Sequence, residues 1–388
     1  MAEFVLANVR PWGHDAADIT ISAGKIDAIR PHDPSQRADL DGQGRLALPG
    51  LINSHAHVDK SWWCSPWQSY GGELSTVGRI AHERENRDRL GIPGVEATTA
   101  VLQQFLRHGT TAVRTHVDVD LGLGLRGIGI VREAFERIGC LRYEIVAFAQ
   151  DGVMRRPGVM QLLDQAAAAG VAHIGGLDPA SIDRDPVAQI DGLFDIAARH
   201  GCGIDIHLHD PGELGAFQIE LIIDRTARLG LGGKINIAHG FAVGQVDPAR
   251  QRDLSQAMGE LDISMTTVAP IGYAPLPMAL LDDADVAVGL GTDGIRDLWS
   301  PYGDGDLLKV ALNFAVLNRA RHDEELAAVV RRATTDAARF IGAQSHDLVA
   351  GAVADIVLID AENPMDALVR TPAREVVIAS GVVHDYRS

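Results

Sequence analysis

Short apolar runs rich in β-branched residues alternate with amphipathic stretches through the middle of the chain. This alternation predicts βα units around a parallel sheet. Eight of the apolar runs are predicted strands: 50–53, 110–115, 143–149, 173–177, 203–206, 234–238, 262–267 and 286–291. The helical stretches between them include 94–107, 158–169, 186–199, 214–229 and 248–261. Eight repeats in roughly 250 residues favour a closed (β/α)₈ TIM barrel over an open doubly wound sheet.

Both ends of the chain carry a different pattern, in which short β-branched runs are separated by turn residues. The runs cover 4–9, 18–22, 25–29, 45–48, 355–359 and 375–380. Closely spaced strands bounded by turns are typical of a small β domain. We therefore expect an α/β protein in which residues 1–48 and 345–388 form a small β-sandwich domain and residues 49–344 form the barrel.

One further stretch stands out by its charge. Residues 79–89 hold a dense mixture of acidic and basic side chains at helical spacing. Such a pattern ordinarily indicates a helix face in contact with solvent.

Composition and charge narrow the class of protein. The 388 residues are 46% hydrophobic and 22% charged, which is typical of a folded soluble enzyme. The net charge of −17 disfavours nucleic acid and anionic membrane surfaces as partners, so we expect a neutral or cationic small molecule. No run approaches the ~20 apolar residues that span a bilayer. Because the three cysteines lack close pairs and residues 1–9 do not resemble a secretory signal, we expect a cytoplasmic protein. We also expect the protein to form a homo-oligomer.

Ligand-type side chains recur where the predicted barrel strands end, which is where catalysis is built in this architecture. They are His55 and His57, His116, His207 and His209, His239, and Asp293. Since side chains alternate along a strand, His55 and His57 point to the same side. A lone histidine at a strand end is ordinarily structural, but recurrence at several ends of one barrel indicates a metal site. Three imidazoles and a carboxylate suit Zn²⁺ or Fe²⁺, which supplies hydroxide near neutral pH.

Several motifs resemble the amidohydrolase superfamily, and within it the cytosine deaminase-like branch. They are PGLINSHAHVDK at 49–60, VRTHVD at 113–118, FAQDG at 148–152, the His207 segment, His239, and Asp293 followed by Trp299. The resemblance implies that His55, His57, His207 and Asp293 bind the metal. It also implies that His239 lies beside the attacked centre and that Asp293 takes a proton from the attacking water.

The same resemblance bears on the metal count. Binuclear members of the superfamily use a carboxylated lysine on the fourth strand, but residues 173–177 contain no lysine. We therefore predict one divalent ion, Zn²⁺ or Fe²⁺, per chain.

The group that protonates the leaving nitrogen stays open among three residues. Asp210 stands where cytosine deaminase has a glutamate, His209 precedes it, and Glu213 follows. An acid at the position of Glu213 is also what the first turn of a helix favours. His209 and Lys60 together resemble the N-isopropylammelide isopropylamidohydrolases, triazine enzymes of the same branch that release an alkylamine.

Three residues are expected to bind the substrate. Gln150 matches the glutamine that pairs with the pyrimidine edge in cytosine deaminases, and a primary amide suits a lactam edge because it both donates and accepts. Trp299 fits as a stacking wall for a flat ring. Lys60 completes the set.

We therefore expect a metal-dependent aminohydrolase or deaminase that breaks a C–N bond of a pyrimidine- or triazine-like heterocycle. The alternatives are a cyclic amide hydrolase of the same superfamily and a catalytically silent heterocycle-binding barrel.

Overall fold

Fifteen strands build two separate sheets in residues 3–387, which the computed structural model describes. Four strands open the chain: β1 (Phe4–Pro11), β2 (Ala17–Ser22), β3 (Lys25–Pro31) and β4 (Leu40–Pro49). Eight parallel strands follow: β5 (Leu51–Ala56), β6 (Thr110–Asp118), β7 (Arg142–Ala149), β8 (His173–Gly176), β9 (Gly203–Leu208), β10 (Ile235–His239), β11 (Ser264–Thr267) and β12 (Val288–Leu290). Three strands close it: β13 (Ile356–Ile359), β14 (Arg374–Ala379) and β15 (Val382–Asp385). The eight predicted barrel strands are confirmed.

Helices join successive barrel strands, two more follow β12, and a last one lies between β13 and β14. They are α1 (Thr76–Leu90), α2 (Val95–Arg107), α3 (Arg126–Ile138), α4 (Val159–Ala168), α5 (Pro186–His200), α6 (Gly212–Leu229), α7 (Pro248–Glu260), α8 (Met278–Asp283), α9 (Leu307–Leu317), α10 (Asp323–Arg332) and α11 (Pro364–Arg370). The apolar stripe of each predicted helix packs on the sheet; α2, for example, buries Val101, Leu102 and Phe105. Among residues 3–387, no helix combines the length and the apolar character that crossing a membrane requires.

The barrel closes between its first and last strands. The order β12-β11-β10-β9-β8-β7-β6-β5 is continuous, and the residues just after β12 bond back to β5. The Asp293 backbone N–H donates to the carbonyl of His55 at 3.0 Å, and Thr292 and Asn53 bond to each other through 3.1 Å and 2.8 Å contacts. These bonds bring the end of β12 beside the end of β5.

The terminal strands form one seven-stranded sheet in the order β15-β14-β13-β4-β1-β2-β3. Ile19 of β2 and Ile378 of β14 share one buried core although they lie in opposite halves of the sheet. The turn after β2 also meets the turn after β14, because Ala354 donates to the Gly24 carbonyl and accepts from the Gly381 N–H, each at 2.9 Å. The sheet therefore curls over its own core, as the predicted sandwich requires.

The predicted domain bounds stay a prediction. β4 ends at Pro49 and β5 begins at Leu51, so a single residue separates the two sheets at that point. A Cβ on Gly50 would lie 2.2 Å from the Thr111 hydroxyl, so only glycine lets the chain pass from sheet to barrel here.

A buried ion pair ties the terminal sheet to the barrel. Arg374 on β14 donates to both carboxylate oxygens of Asp306, one of them at 3.3 Å, and both side chains are almost fully buried. Asp306 also accepts from the Leu308 N–H at the start of α9. Removing one partner of such a pair leaves an uncompensated buried charge.

Arg374→Met is therefore expected to lower the free energy of unfolding by about 3–5 kcal/mol. Urea unfolding followed by circular dichroism measures this change. Arg137→Met is the matched control, since the Arg137–Glu96 pair is exposed and its loss should change the midpoint little. Equal midpoints for the two variants would contradict a structural role for the buried pair.

Candidate metal centre and active site

The carboxyl ends of two barrel strands and the loop after a third carry the predicted metal ligands. His55 lies at the end of β5 with His57 just after it, His207 lies on β9, and Asp293 follows β12. Parallel strands present these ends at one face of the barrel. The structure brings all four side chains together.

Three distances between the donor atoms are close to those around a tetrahedrally coordinated ion. His57 Nε2 lies 3.2 Å from His207 Nε2 and 3.3 Å from Asp293 Oδ1, and His55 Nε2 lies 3.7 Å from the same oxygen. Bonds of about 2.0–2.1 Å in a tetrahedron put neighbouring ligand atoms about 3.3 Å apart. The four residues could therefore hold a divalent ion such as Zn²⁺ or Fe²⁺.

Unpartnered nitrogens support the same interpretation. Both ring nitrogens of His55, and Nδ1 of His57 and His207, are buried without a hydrogen-bond partner among residues 3–387. Such groups are rare because burying them unpaired costs free energy. Burial also lowers the pKa of His57 and His207 well below the ordinary value, so the imidazoles are neutral and offer lone pairs. For Asp293, burial opposes ionisation, but the adjacent imidazoles of His55 and His57 outweigh it and hold its pKa well below the usual range.

His116 joins this group, although the sequence interpretation gave it no role. One ring nitrogen from each of His55, His57, His116 and His207 lies within 4.8 Å of the others. The predicted strand ended one residue before it, whereas β6 continues to Asp118 and buries it. Its Nε2 lies 3.3 Å from Asp205 Oδ1. A histidine at a strand end was the signal that could have found it.

His239 lies at the rim of the same cluster. Its backbone is in the left-handed region, with φ of 68°, and neither ring nitrogen has a partner among the described residues. Burial lowers its pKa well below the usual value. A neutral imidazole with free nitrogens can hydrogen-bond a reacting group.

His209 is held beside His239. The two rings stack with centroids 4.4 Å apart, and His209 Nδ1 lies 3.1 Å from a carboxylate oxygen of buried Asp178. Burial opposes the charge on His209, but the hydrogen bond and charge of Asp178 outweigh it and raise its pKa. Asp178, which follows β8, was missed by the sequence interpretation because nothing local marks it as a partner of His209.

The structure separates the three candidate proton donors. His209 lines the cavity described below. Asp210 is buried elsewhere, where it accepts from the Ser181 N–H and the Gln218 amide. Glu213 does not reach the cavity: its side chain is 68% exposed in the first turn of α6 and lies 3.3 Å from Arg250. The prediction of a catalytic Glu213 is corrected, because the helix start turns that side chain outward.

A cavity of about 240 Å³ opens above the metal ligands. Pockets for drug-sized ligands measure about 300–1,000 Å³, so this one suits a small ring. Its wall includes the three predicted substrate residues Lys60, Gln150 and Trp299.

Gln150 has a fixed orientation. Lys60 Nζ donates to Gln150 Oε1, and Gln150 Nε2 donates to Glu83 Oε2 at 3.2 Å. The flipped amide would set its NH₂ against an ammonium and its oxygen against a carboxylate. One N–H and one lone pair of the amide stay available.

The charge on Lys60 is balanced within the barrel. Lys60 Nζ lies 2.9 Å from Asp118 Oδ1 and 3.6 Å from Glu83 Oε2. Burial opposes the charge on Lys60, but these carboxylates outweigh it and raise its pKa. Its Nζ also lies 5.8 Å from the ring centre of Trp299.

The charged run 79–89 is not a purely solvated helix face. Much of α1 is polar and exposed or half-buried, but Glu83 and Arg87 are buried. Glu83 reaches Gln150, and Arg87 pairs with Asp120 at 2.5 Å. The prediction was wrong for these two side chains because charged partners on the barrel lie under the helix.

Comparisons with known proteins agree with this geometry. A model of the amidohydrolase family matches residues 89–385. The solved structure of N-isopropylammelide isopropylaminohydrolase from Burkholderia multivorans is 40% identical, with a TM-score of 0.93 over 99% of this chain and 98% of that one. N-isopropylammelide isopropyl amidohydrolase from Pseudomonas sp. (strain ADP) is 27% identical over 88% of this chain and 87% of its own. The structure of 5-methylcytosine deaminase from Klebsiella pneumoniae, 23% identical, shares the fold with a TM-score of 0.83 over 100% of this chain and 98% of that one.

The barrel, the curled terminal sheet and the matched residues lead to one conclusion. The chain belongs to the amidohydrolase family, and it is a hydrolase that acts on carbon–nitrogen bonds.

Proposed function

We propose that the chain is a mononuclear metal-dependent aminohydrolase acting on a pyrimidine- or triazine-like heterocycle. The observation that carries the proposal is the convergence of His55, His57, His207 and Asp293 at the base of a small cavity. The names of the relatives from Burkholderia and Pseudomonas support a ring of this kind. We keep the homo-oligomer and the cytoplasmic location as predictions.

The donor set favours a single ion. Among the residues of β8, His173–Gly176, there is no lysine to bridge a second metal. When bound, the ion supplies hydroxide near neutral pH by lowering the pKa of a coordinated water. The predicted choice between Zn²⁺ and Fe²⁺ stays open, since imidazole and carboxylate ligands suit both.

The protein side chains then handle the protons. Asp293 accepts a proton from the attacking water as the new C–O bond forms. His239 stabilises the negative charge of the tetrahedral centre by hydrogen bonding. His209, fixed by Asp178 and carrying a raised pKa, donates the proton with which the amine leaves as the C–N bond breaks.

The cavity wall indicates the substrate and its leaving group. Gln150 pairs with a lactam edge and Trp299 stacks on the ring face. Apolar or aromatic side chains cover much of the remaining wall: Leu74, Phe241, Val268, Pro270 and Tyr273. An alkyl substituent would bury its surface there, so we favour an alkylamine over ammonia as the leaving group.

Asp293→Asn is expected to lower kcat by about 10²–10⁴-fold, because an amide cannot take a proton from water. Amine release from N-alkylamino and amino triazines and pyrimidines measures the loss. Asp191→Asn is the control: Asp191 has the same 40% side-chain exposure but lies on α5 and pairs with Arg225. An active Asp293→Asn enzyme that retains its metal would contradict the assigned role.

His209→Gln is expected to lower kcat by about 10²-fold or more, since the leaving nitrogen loses its proton donor. Glu213→Gln should change kcat by less than about twofold, because its pair with Arg250 is solvent-exposed. The same product assay compares the two variants. The reverse order of effects would restore Glu213 as the donor.

Purified protein is expected to contain about one Zn²⁺ or Fe²⁺ per chain, and removal of the ion by a chelator should abolish turnover. Elemental analysis and re-addition of each metal test this. The single-ion site would be refuted if activity rose in proportion to a metal content of two ions per chain, or if activity remained after the metal had been removed completely.

A further inference from the structure

Asp297 is a cavity residue that the sequence interpretation did not single out. It lies four positions after Asp293, is 6% exposed, and lines the cavity. Its Oδ1 accepts from the backbone N–H groups of Trp299 and Ser300, at 2.8 Å and 2.7 Å. Its Oδ2 has no hydrogen-bond partner in the part of the chain that the structure describes.

The loop around Asp297 is held rigidly. The Asp297 N–H donates to the Ser300 carbonyl at 3.0 Å, and its own carbonyl accepts from the indole of buried Trp62 at 3.0 Å. The Arg296 guanidinium lies 4.3 Å from the Trp62 ring centre. Because Asp297 and Trp299 share one tight turn, the carboxyl group keeps a fixed position relative to the indole.

Gly294 makes room for the free oxygen. A Cβ at this position would lie 1.8 Å from Asp297 Oδ2. The backbone of Gly294 is outside the left-handed region, so no conformational demand calls for glycine. The glycine is therefore explained by the space that the carboxyl group occupies.

The turn alone does not account for both carboxyl oxygens. Its two backbone N–H groups are satisfied by Oδ1, and an asparagine oxygen would serve them equally well. A buried carboxyl costs free energy, and burial accordingly raises the pKa of Asp297 to about 7. Asp297 lines the cavity, so its second oxygen is available to accept a hydrogen bond from a bound molecule.

We propose that Asp297 is a substrate-recognition residue whose Oδ2 accepts a hydrogen bond from a ring N–H of a heterocycle lying against Trp299. This rests on the proposed function, in that the cavity binds a flat nitrogen heterocycle. It narrows the substrate to oxo-substituted rings in the lactam form, since these carry ring N–H groups beside carbonyls. Rings in which no nitrogen carries a hydrogen cannot donate a hydrogen bond to Asp297.

Equilibrium binding to the metal-loaded protein tests the proposal. The probes are cyanuric acid, which presents a ring N–H on each side, and its N,N′,N″-trimethyl derivative, which has none. Neither probe has an exocyclic amine to be released, so the binding measurement does not depend on turnover. It can therefore be interpreted even if the assays of amine release fail. Calorimetry of both probes with wild type and Asp297→Asn forms a double-mutant cycle, which cancels the size of the methyl groups.

Asp297→Asn is expected to weaken binding of cyanuric acid by about ten- to a hundredfold, because an amide NH₂ would then face the ring N–H. Binding of the trimethyl probe should change by less than about twofold. Asp247→Asn is the matched control: Asp247 makes the same turn-type contacts, at 3.0 Å and 3.1 Å, at the exposed start of α7. It should leave both affinities unchanged.

Gly294→Ala provides a second variant if Asp297→Asn does not fold. Its new methyl group would displace Oδ2 while Asp297 keeps its charge, so the same selective loss is expected. Equal weakening of both probes in the folded variants would show a structural role and overturn the proposal. Failure of wild type to bind cyanuric acid would overturn it as well.

Discussion

Closure of the barrel between β5 and β12 is the constraint on which the site depends. Asp293 reaches the metal cluster because its backbone N–H bonds to the carbonyl of His55. Gly291 permits this approach, since a Cβ there would lie 2.4 Å from the Cβ of His55. This backbone contact places the Asp293 carboxylate beside His55 and His57, which lie far earlier in the chain. The cavity forms above the point where the ends of β5 and β12 meet.

Buried charges around the cavity occur in linked groups rather than singly. Lys60 is neutralised by Asp118 and Glu83, and His209 by Asp178. Each link removes part of the cost of burying a charge and also fixes a side chain that faces the substrate. Because these dipoles and charges are already held in place, they can stabilise a reacting group without first having to move. The same contacts that hold α1 over the barrel therefore orient Gln150.

The predictions from sequence succeed where the governing pattern is local and fail where it is not. The eight strands follow from apolar runs, and five helices end within two residues of their predicted limits. The predicted ligands His55, His57 and His207 meet because strand ends in a barrel meet. Glu213 was misplaced because the start of α6 turns its side chain from the cavity to solvent. Glu83 was hidden in a run that looks solvated.

The sequence by itself determined the barrel, the terminal sheet and the kind of ligands at the strand ends, since periods of two and 3.6 residues are properties of neighbouring positions. Only the tertiary structure decided that His209 faces the cavity and Asp210 does not. It alone brought His116 into the histidine cluster and left one oxygen of Asp297 free. The reason is physical: which loop side chain lines a cavity depends on packing between elements that are remote in the chain, and no local pattern encodes that packing.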